Sequence, residues 1–179
     1  MNYIIFDLEA TCWETRGSGQ RNEIIEIGAQ KFNEVGEKID EFCAFVYPKL
    51  NPILSPFCKQ LTHIKQSDID SALPFPEVLS GFQEWIGEDY LLCSWGLYDR
   101  NQLKADCKLH ELPGTWAERH ISLKHQHPEV RGIGKRMGMA RALELEGFQL
   151  EGTHHRGIDD ARNISKIFLK YLGQWKLPL

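Results

Sequence analysis

The opening residues constrain the fold more than any other stretch. Tyr3-Ile4-Ile5-Phe6 is an apolar run that ends on Asp7, and Glu9 follows two positions later. A short run of bulky apolar and aromatic residues reads as a strand of a central sheet. Side chains two apart on a strand leave the same face, so the two carboxylates project together, roughly 6 to 7 Å apart along the strand. They repel each other. An isolated pair of this kind is ordinarily a polar strand end in solvent, so a chemical role depends on what else joins it.

The rest of the chain supplies the sheet around that strand. A second apolar run, 23–32, is rich in isoleucine, and Asn33-Glu34-Val35-Gly36-Glu37 separates it from an aromatic, alternating segment, 39–47. These two segments read as a hairpin across a glycine-containing turn. Beyond Pro48 the apolar spacing turns helical over 55–61 and 75–86, with Pro52, Pro56, Pro74 and Pro76 punctuating their starts. Residues 90–95 fit a fourth strand, 101–110 a helix, 119–123 a short fifth strand and 159–172 a last helix. With 179 residues, 42% of them apolar, the chain can bury one sizeable core and is too short for two ordinary domains. Residues 1–179 are therefore read as one α/β domain with a mixed five-stranded sheet, antiparallel at its first hairpin and flanked by helices.

The last helix brings a third carboxylate inward. Its apolar stripe is Ala161, Ile164, Ile167, Phe168 and Tyr171, and Asp160 sits at the head of that stripe. An ionised carboxylate buried without a partner costs several kcal/mol, so this position implies a cation, a basic partner or a capping role. Capping stays open for Asp159 and Asp160. Asp99, just past the fourth strand where the chain enters a helix, reads on its own as an N-cap. Taken together, Asp7, Glu9, Asp99 and Asp160 are four carboxylates at the ends of separate elements, an oxygen donor set for hard divalent cations such as Mg²⁺. Such a set is large enough for two ions, which would activate a water, bridge a phosphate and stabilise the leaving oxygen of an in-line displacement. His155 lies five residues before Asp160 in a glycine-containing loop, and a group titrating near neutrality can take the proton from that water. A surface or helix-capping histidine is the alternative.

Charge and cysteine usage narrow the setting. The formal net charge of −4 leaves no overall basic footprint. Between 119 and 141, however, Arg119, Lys124, Arg131, Lys135, Arg136 and Arg141 face a single acid, Glu129; a solvated basic face explains this as well as a binding surface does. Cys12, Cys43, Cys58, Cys93 and Cys107 are odd in number and lack zinc-like spacing, as in a reducing cytoplasm. Acidic residues interrupt the N-terminal apolar run, and no run approaches the ~18 residues that span a bilayer. A soluble cytoplasmic protein with no membrane partner is expected.

Phe6-Asp7-Leu8-Glu9-Ala10-Thr11-Cys12, Ser94-Trp95 through Asp99, and His155-Arg156-Gly157-Ile158-Asp159-Asp160-Ala161-Arg162-Asn163 together resemble the three motifs of the DEDDh, or DnaQ-like, exonuclease superfamily. Order and spacing match across nearly the whole chain. Within that superfamily the opening phrase, the acidic Glu23-Ile24-Ile25-Glu26 and Phe57-Cys58 through Leu61-Thr62 are most similar to the Eri-type 3′-to-5′ exoribonucleases. The resemblance implies an RNase H-like fold, metal ligation by Asp7, Glu9, Asp99 and Asp160, and His155 as general base, chosen over His154 because the family's histidine precedes the last aspartate by five. It implies two Mg²⁺ ions, with Mn²⁺ as a substitute, and release of nucleoside 5′-monophosphates from a nucleic-acid 3′ end, RNA ahead of DNA. It also implies a 3′-terminal nucleotide held by the segments that contain Ala10, Thr11, Leu61, Thr62 and Trp95. Trp13, Phe57 and Trp95 are candidates for stacking on bases, worth ~1 to 3 kcal/mol each, with core packing as the alternative.

Two departures stand out. His63 occupies the place of a glycine common in the family, and the Trp95-to-Asp99 loop is longer than in some relatives. The leading reading is an exoribonuclease. A DNA-directed exonuclease or polymerase-proofreading subunit is the nearest alternative, because the catalytic motifs scarcely distinguish ribose from deoxyribose. A non-catalytic nucleic-acid-binding module using the basic stretch is the alternative from another class, although a pure binding surface has no reason to gather four carboxylates where phosphate must approach.

Overall fold

The apolar opening run extends to a nine-residue strand, β1 (Asn2–Ala10), whose alternation serves two cores at once. Ile4, Phe6 and Leu8 join one buried cluster, while Tyr3 and Ile5 join another on the opposite face. A strand apolar on both faces belongs in the interior of a sheet. In this computed structural model, which describes residues 1–15 and 19–178, β1 lies between β2 (Ile24–Phe32) and β5 (Tyr90–Ser94). It pairs antiparallel with β2 and parallel with β5. β3 (Lys38–Tyr47) continues the sheet antiparallel to β2, and β6 (His120–Ser122) runs parallel to β5.

The sequence pattern predicts five strands, and the described residues form six, in the order β4-β3-β2-β1-β5-β6. The sixth is β4, only Leu73–Pro74, parallel to the end of β3 through Val46 and Tyr47. Two residues carry no alternation to read, and a proline that cannot donate to a ladder is tolerated at a sheet edge. The helices are α1 (Pro56–Thr62), α2 (Gln66–Asp70), α3 (Phe75–Ile86), α4 (Tyr98–Leu109), α5 (Leu123–Arg131), α6 (Met139–Glu146) and α7 (Gly157–Lys170). None is long and apolar enough to cross a membrane. α5 and α6 fall where the sequence shows no clear helical period, because Pro128 lies inside α5 and Gly132, Gly134 and Gly138 break the stretch between them.

α3 and α4 cover the face that bears Phe6; α5, α6 and α7 cover the face that bears Ile5. α7 buries Ala161, Ile164, Ile167 and Phe168, the predicted stripe. The α6 stripe ends on Glu146, fully inside, where it accepts from His127 Nε2 at 2.9 Å, Lys170 Nζ at 2.7 Å and the Tyr171 hydroxyl at 2.8 Å. That network ties α5, α6 and the end of α7 together, and three donors compensate the desolvated carboxylate.

His120 on β6 is buried with one ring nitrogen 2.9 Å from Ser94 Oγ, and its Nδ1 has no hydrogen-bond partner among the described residues. Burial, with Arg100 adding to it, pushes its pKa down to about 4 from the usual 6.5. The unfolded chain therefore takes up this proton at a higher pH than the folded one. Stability is retained above about 6.5 and is lost as pH falls towards about 4, at a slope approaching ~1.4 kcal/mol per pH unit. Denaturation midpoints across that window should be flatter for His120→Gln than for the wild type; parallel profiles would assign the acid sensitivity elsewhere.

Candidate active site

The β1 alternation that sends Tyr3 and Ile5 towards α7 sends Asp7 and Glu9 there too. α7 approaches this face unusually closely. Gly28 lies opposite Asp7 in the β1–β2 register, and a Cβ placed on Gly28 would meet Ile158 N at 2.0 Å and the Gly157 carbonyl carbon at 2.1 Å. A Cβ on Gly157 would in turn meet the Asp7 carbonyl oxygen at 3.1 Å. Glycine on both sides lets the start of the helix rest on the strand backbone, which brings Asp160 to the β1 carboxylates. Oxygens of Asp7, Glu9 and Asp160 lie within 4.8 Å of one another.

Asp99 arrives from the other side. It is the second residue of α4, whose N-cap is Leu97, so it is not the cap that its position in the sequence suggests. Its Oδ1 instead accepts from Leu8 N at 3.3 Å across 91 positions of sequence. Nor do Asp159 and Asp160 cap α7, since Arg156 holds that position. Asp159 accepts from Thr153 N and Arg162, and Asp160 accepts from His154 Nδ1 at 3.0 Å and from His155 N at 3.1 Å. His155 has a φ of 65°, a left-handed backbone that a non-glycine residue adopts at a cost, and its ring stacks on that of His154 with centroids 4.0 Å apart.

Asp7, Leu8, Glu9, Trp95, Tyr98, Asp99, Met139, His154, His155 and Asp160 line one cavity of about 280 Å³. A larger cavity of about 570 Å³ adjoins it and shares His154 and His155; Glu14, Phe57, Gln60, Leu61, His63 and Thr153 complete its wall. Of the residues the sequence nominates, Asp7, Glu9, Trp95, Asp99, His155 and Asp160 meet in the first cavity, and Leu61 lies in the second. Ala10, Thr11 and Thr62 line neither. Ala10 is buried at the end of β1; the Thr11 hydroxyl accepts from Glu23 N at 2.9 Å, and that of Thr62 donates to Cys58 O at 2.9 Å. Trp13 lines neither cavity, whereas Phe57 lines the larger one.

The electrostatics are those of a site short of positive charge. Burial, followed by Asp99, Glu9 and Asp160, holds the Asp7 carboxyl well above the usual carboxylate range. Burial and then Asp160, Glu26 and Asp99 push Glu9 up to about 9. Asp99 rises to about 6 through burial, limited by hydrogen bonds from Ser94 and Leu8. Burial lowers His155, with His154 contributing, which favours its neutral imidazole. A cluster of ionised carboxylates in one pocket persists only with a cation among them. Asp7, Glu9 and Asp160 form an all-oxygen set that fits a hard divalent ion, while His154, His155 and Asp160 form a second close set with two imidazole nitrogens.

Three contributors to the site are not singled out by the sequence reading. Glu26 is fully buried on β2 opposite Glu9, and its carboxylate accepts from Arg156 Nε at 3.1 Å and from Gly157 N at 3.0 Å. It therefore caps the α7 N-terminus from another element and anchors the loop that carries the histidines. Its signal is an acid inside an isoleucine run, within the Eri-like Glu23-Ile24-Ile25-Glu26 phrase, to which the sequence attaches no role. Gly28 acts through backbone approach, and His154 through its ring on Asp160; neither leaves a mark in spacing.

A mixed sheet with two carboxylates on its central strand, two more on the first turns of helices and a histidine beside them defines the RNase H-like exonuclease class, whose DEDDh branch depends on divalent metal. The chain matches the Exonuclease family, RNase_T, over residues 4–168, and it belongs to that family. ERI1 exoribonuclease 2 of Homo sapiens is 30% identical over 94% of this chain, and the 3′-5′ exonuclease eri1 of Schizosaccharomyces pombe is 31% identical over 93%. The alignments take in 28% and 66% of those proteins, so the chain spans only part of their length. Among solved structures, the nuclease domain of 3′hExo, a DEDDh family member bound to rAMP, superposes with a TM-score of 0.92 at 29% identity, covering 99% of this chain and 96% of that one. The Eri-type resemblance read from the motifs agrees with these relatives.

Proposed function

We propose that this chain is a 3′-to-5′ exoribonuclease that removes nucleotides from an RNA 3′ end as nucleoside 5′-monophosphates. The observation that carries the reading is the convergence of Asp7, Glu9, Asp99 and Asp160, from three separate elements, on one cavity that also holds His155. In this reading those four carboxylates hold the divalent ions, two Mg²⁺ with Mn²⁺ as a substitute. When bound, the ions supply Lewis-acid polarisation of the scissile phosphate and a water of lowered pKa.

The chain's own residues do the rest. His155 takes the proton of the attacking water at a ring nitrogen, and the Asp160 contact to its backbone N–H fixes the loop that presents it. His154 holds Asp160 in one orientation through Nδ1. The 3′-terminal nucleoside enters the adjoining cavity, where Phe57 and Leu61 offer apolar surface to its base. The preference for RNA follows the exoribonuclease relative and the ribonucleotide in the related nuclease domain.

The test is time-resolved digestion of one 5′-labelled sequence as RNA and as DNA, with Mg²⁺, Mn²⁺ or EDTA. A metal-dependent ladder that shortens from the 3′ end, faster on RNA, is the expected result. Faster loss of DNA would overturn the RNA preference, and internal cleavage or metal independence would overturn the exonuclease reading.

A further inference from the structure

Residues 132–138 connect α5 to α6 and run beside the carboxylate cavity. Trp95 Nε1, from that cavity, donates to Met137 O at 3.1 Å, and Met139 at the start of α6 lines the cavity itself. This connection carries two adjacent exposed cations, Lys135 and Arg136. On α5, burial holds the His125 imidazole below its usual range, and the charges of Arg136 and Lys124 add to this. Lys124 and Arg136 thus both act on one ring at the start of α5, and Lys135 precedes Arg136 in the connection.

No acid of the same stretch pairs with them. Every acid between 119 and 146 is engaged elsewhere: Glu129 pairs with Lys176, Glu144 with Arg141, and Glu146 with His127, Arg131 and Lys170. Lys124, Lys135 and Arg136 make no ion pair among the described residues. Like charges kept together repel, and a cluster of this kind beside a site for phosphodiesters is suited to a polyanion.

The two cavities give the strand a direction. The larger one joins the carboxylate cavity through His154 and His155 and shares neither Trp95 nor Met139, which border the basic connection. With the departing nucleotide in the larger cavity, the border formed by Trp95 and Met139 is left for the remaining strand. We propose that Lys124, Lys135 and Arg136 form a phosphate track that holds the RNA strand on the 5′ side of the nucleotide being removed. This deepens the exonuclease reading and rests on it for the strand's direction. Lysine and arginine bind the phosphate backbone without regard to base, so the track confers dependence on strand length rather than on sequence.

The test compares Lys135→Gln/Arg136→Gln, alone and with Lys124→Gln, against the charge-matched control Lys38→Gln/Lys108→Gln on β3 and α4. Binding of 5′-labelled single-stranded RNA is measured in EDTA across a salt series, and cleavage of a long strand and of a dinucleotide is measured with Mg²⁺. The track requires several-fold weaker binding of the long strand and a salt slope lower by about 0.7 for each phosphate left without its cation. It also requires a fall in the ratio of kcat/KM for the long strand to that for the dinucleotide. An unchanged slope, an equal fall for both substrates, or the same changes in the control would overturn it. If wild-type protein bound RNA with the expected slopes yet cleaved none, the exonuclease reading would fall while the track stood as a binding surface.

Discussion

Asp7→Asn lowers the cleavage rate by about 10²- to 10³-fold or more and, in the same protein stripped of metal, raises the melting temperature. Both effects come from one charge. Asp7 faces Glu9 and Asp160 at close range, and no hydrogen bond or ion pair to its carboxylate offsets that repulsion among the described residues. Asn keeps the shape and removes the charge, so the metal-free fold gains about 1 kcal/mol, which is roughly 2–4 °C for a chain of this length. Mg²⁺ should reverse the order, because wild type gains a bound cation that the variant holds weakly, and binding to the folded state alone stabilises it. Calorimetry with EDTA and with Mg²⁺, beside an RNA cleavage assay, checks all three statements. A variant that loses activity but melts lower than wild type in EDTA would mean that Asp7 holds the fold through contacts rather than straining it through charge.

Legibility in the sequence divides along the range of the interactions. Asp7 and Glu9 share a face because strand period is local, and Asp160 heads an apolar stripe because helix period is local. Asp99 is legible only as a member of a set: its own neighbourhood suggests a cap, and its actual place is fixed by Leu8, far away in sequence. His155 follows from a family spacing, while the ring contact of His154 with Asp160 depends on the loop's backbone path. β4 is hidden because two residues have no period, and α5 and α6 because proline and glycines interrupt the apolar spacing around them. The basic cluster is visible as composition, but its adjacency to the carboxylates depends on Trp95 holding the Met137 carbonyl.

Among the described glycines, Gly28→Ala should be the most damaging alanine substitution. The added Cβ would lie 2.0 Å from Ile158 N and 2.1 Å from the Gly157 carbonyl carbon, and both are backbone atoms that no rotamer change can move aside. The first turn of α7 must therefore back away from β2, carrying Asp160 and the histidine loop with it and pulling Gly157 N away from Glu26. Overpacking of this kind costs about 1–3 kcal/mol or more, and a misplacement of about 1 Å in catalytic groups costs on the order of 10²-fold in rate. Gly81→Ala is the matched comparison. Gly81 lies inside α3 with nothing within 4 Å of its Cβ position, so the same methyl group should stabilise the helix by about 0.5–1 kcal/mol and leave cleavage intact. Opposite signs in melting temperature, with activity lost only at position 28, would establish that the β2–α7 contact sets the site's geometry. Equal melting and equal cleavage for the two variants would mean that α7 can shift without disturbing the carboxylates, and that their cluster is held by α4 and β1 alone.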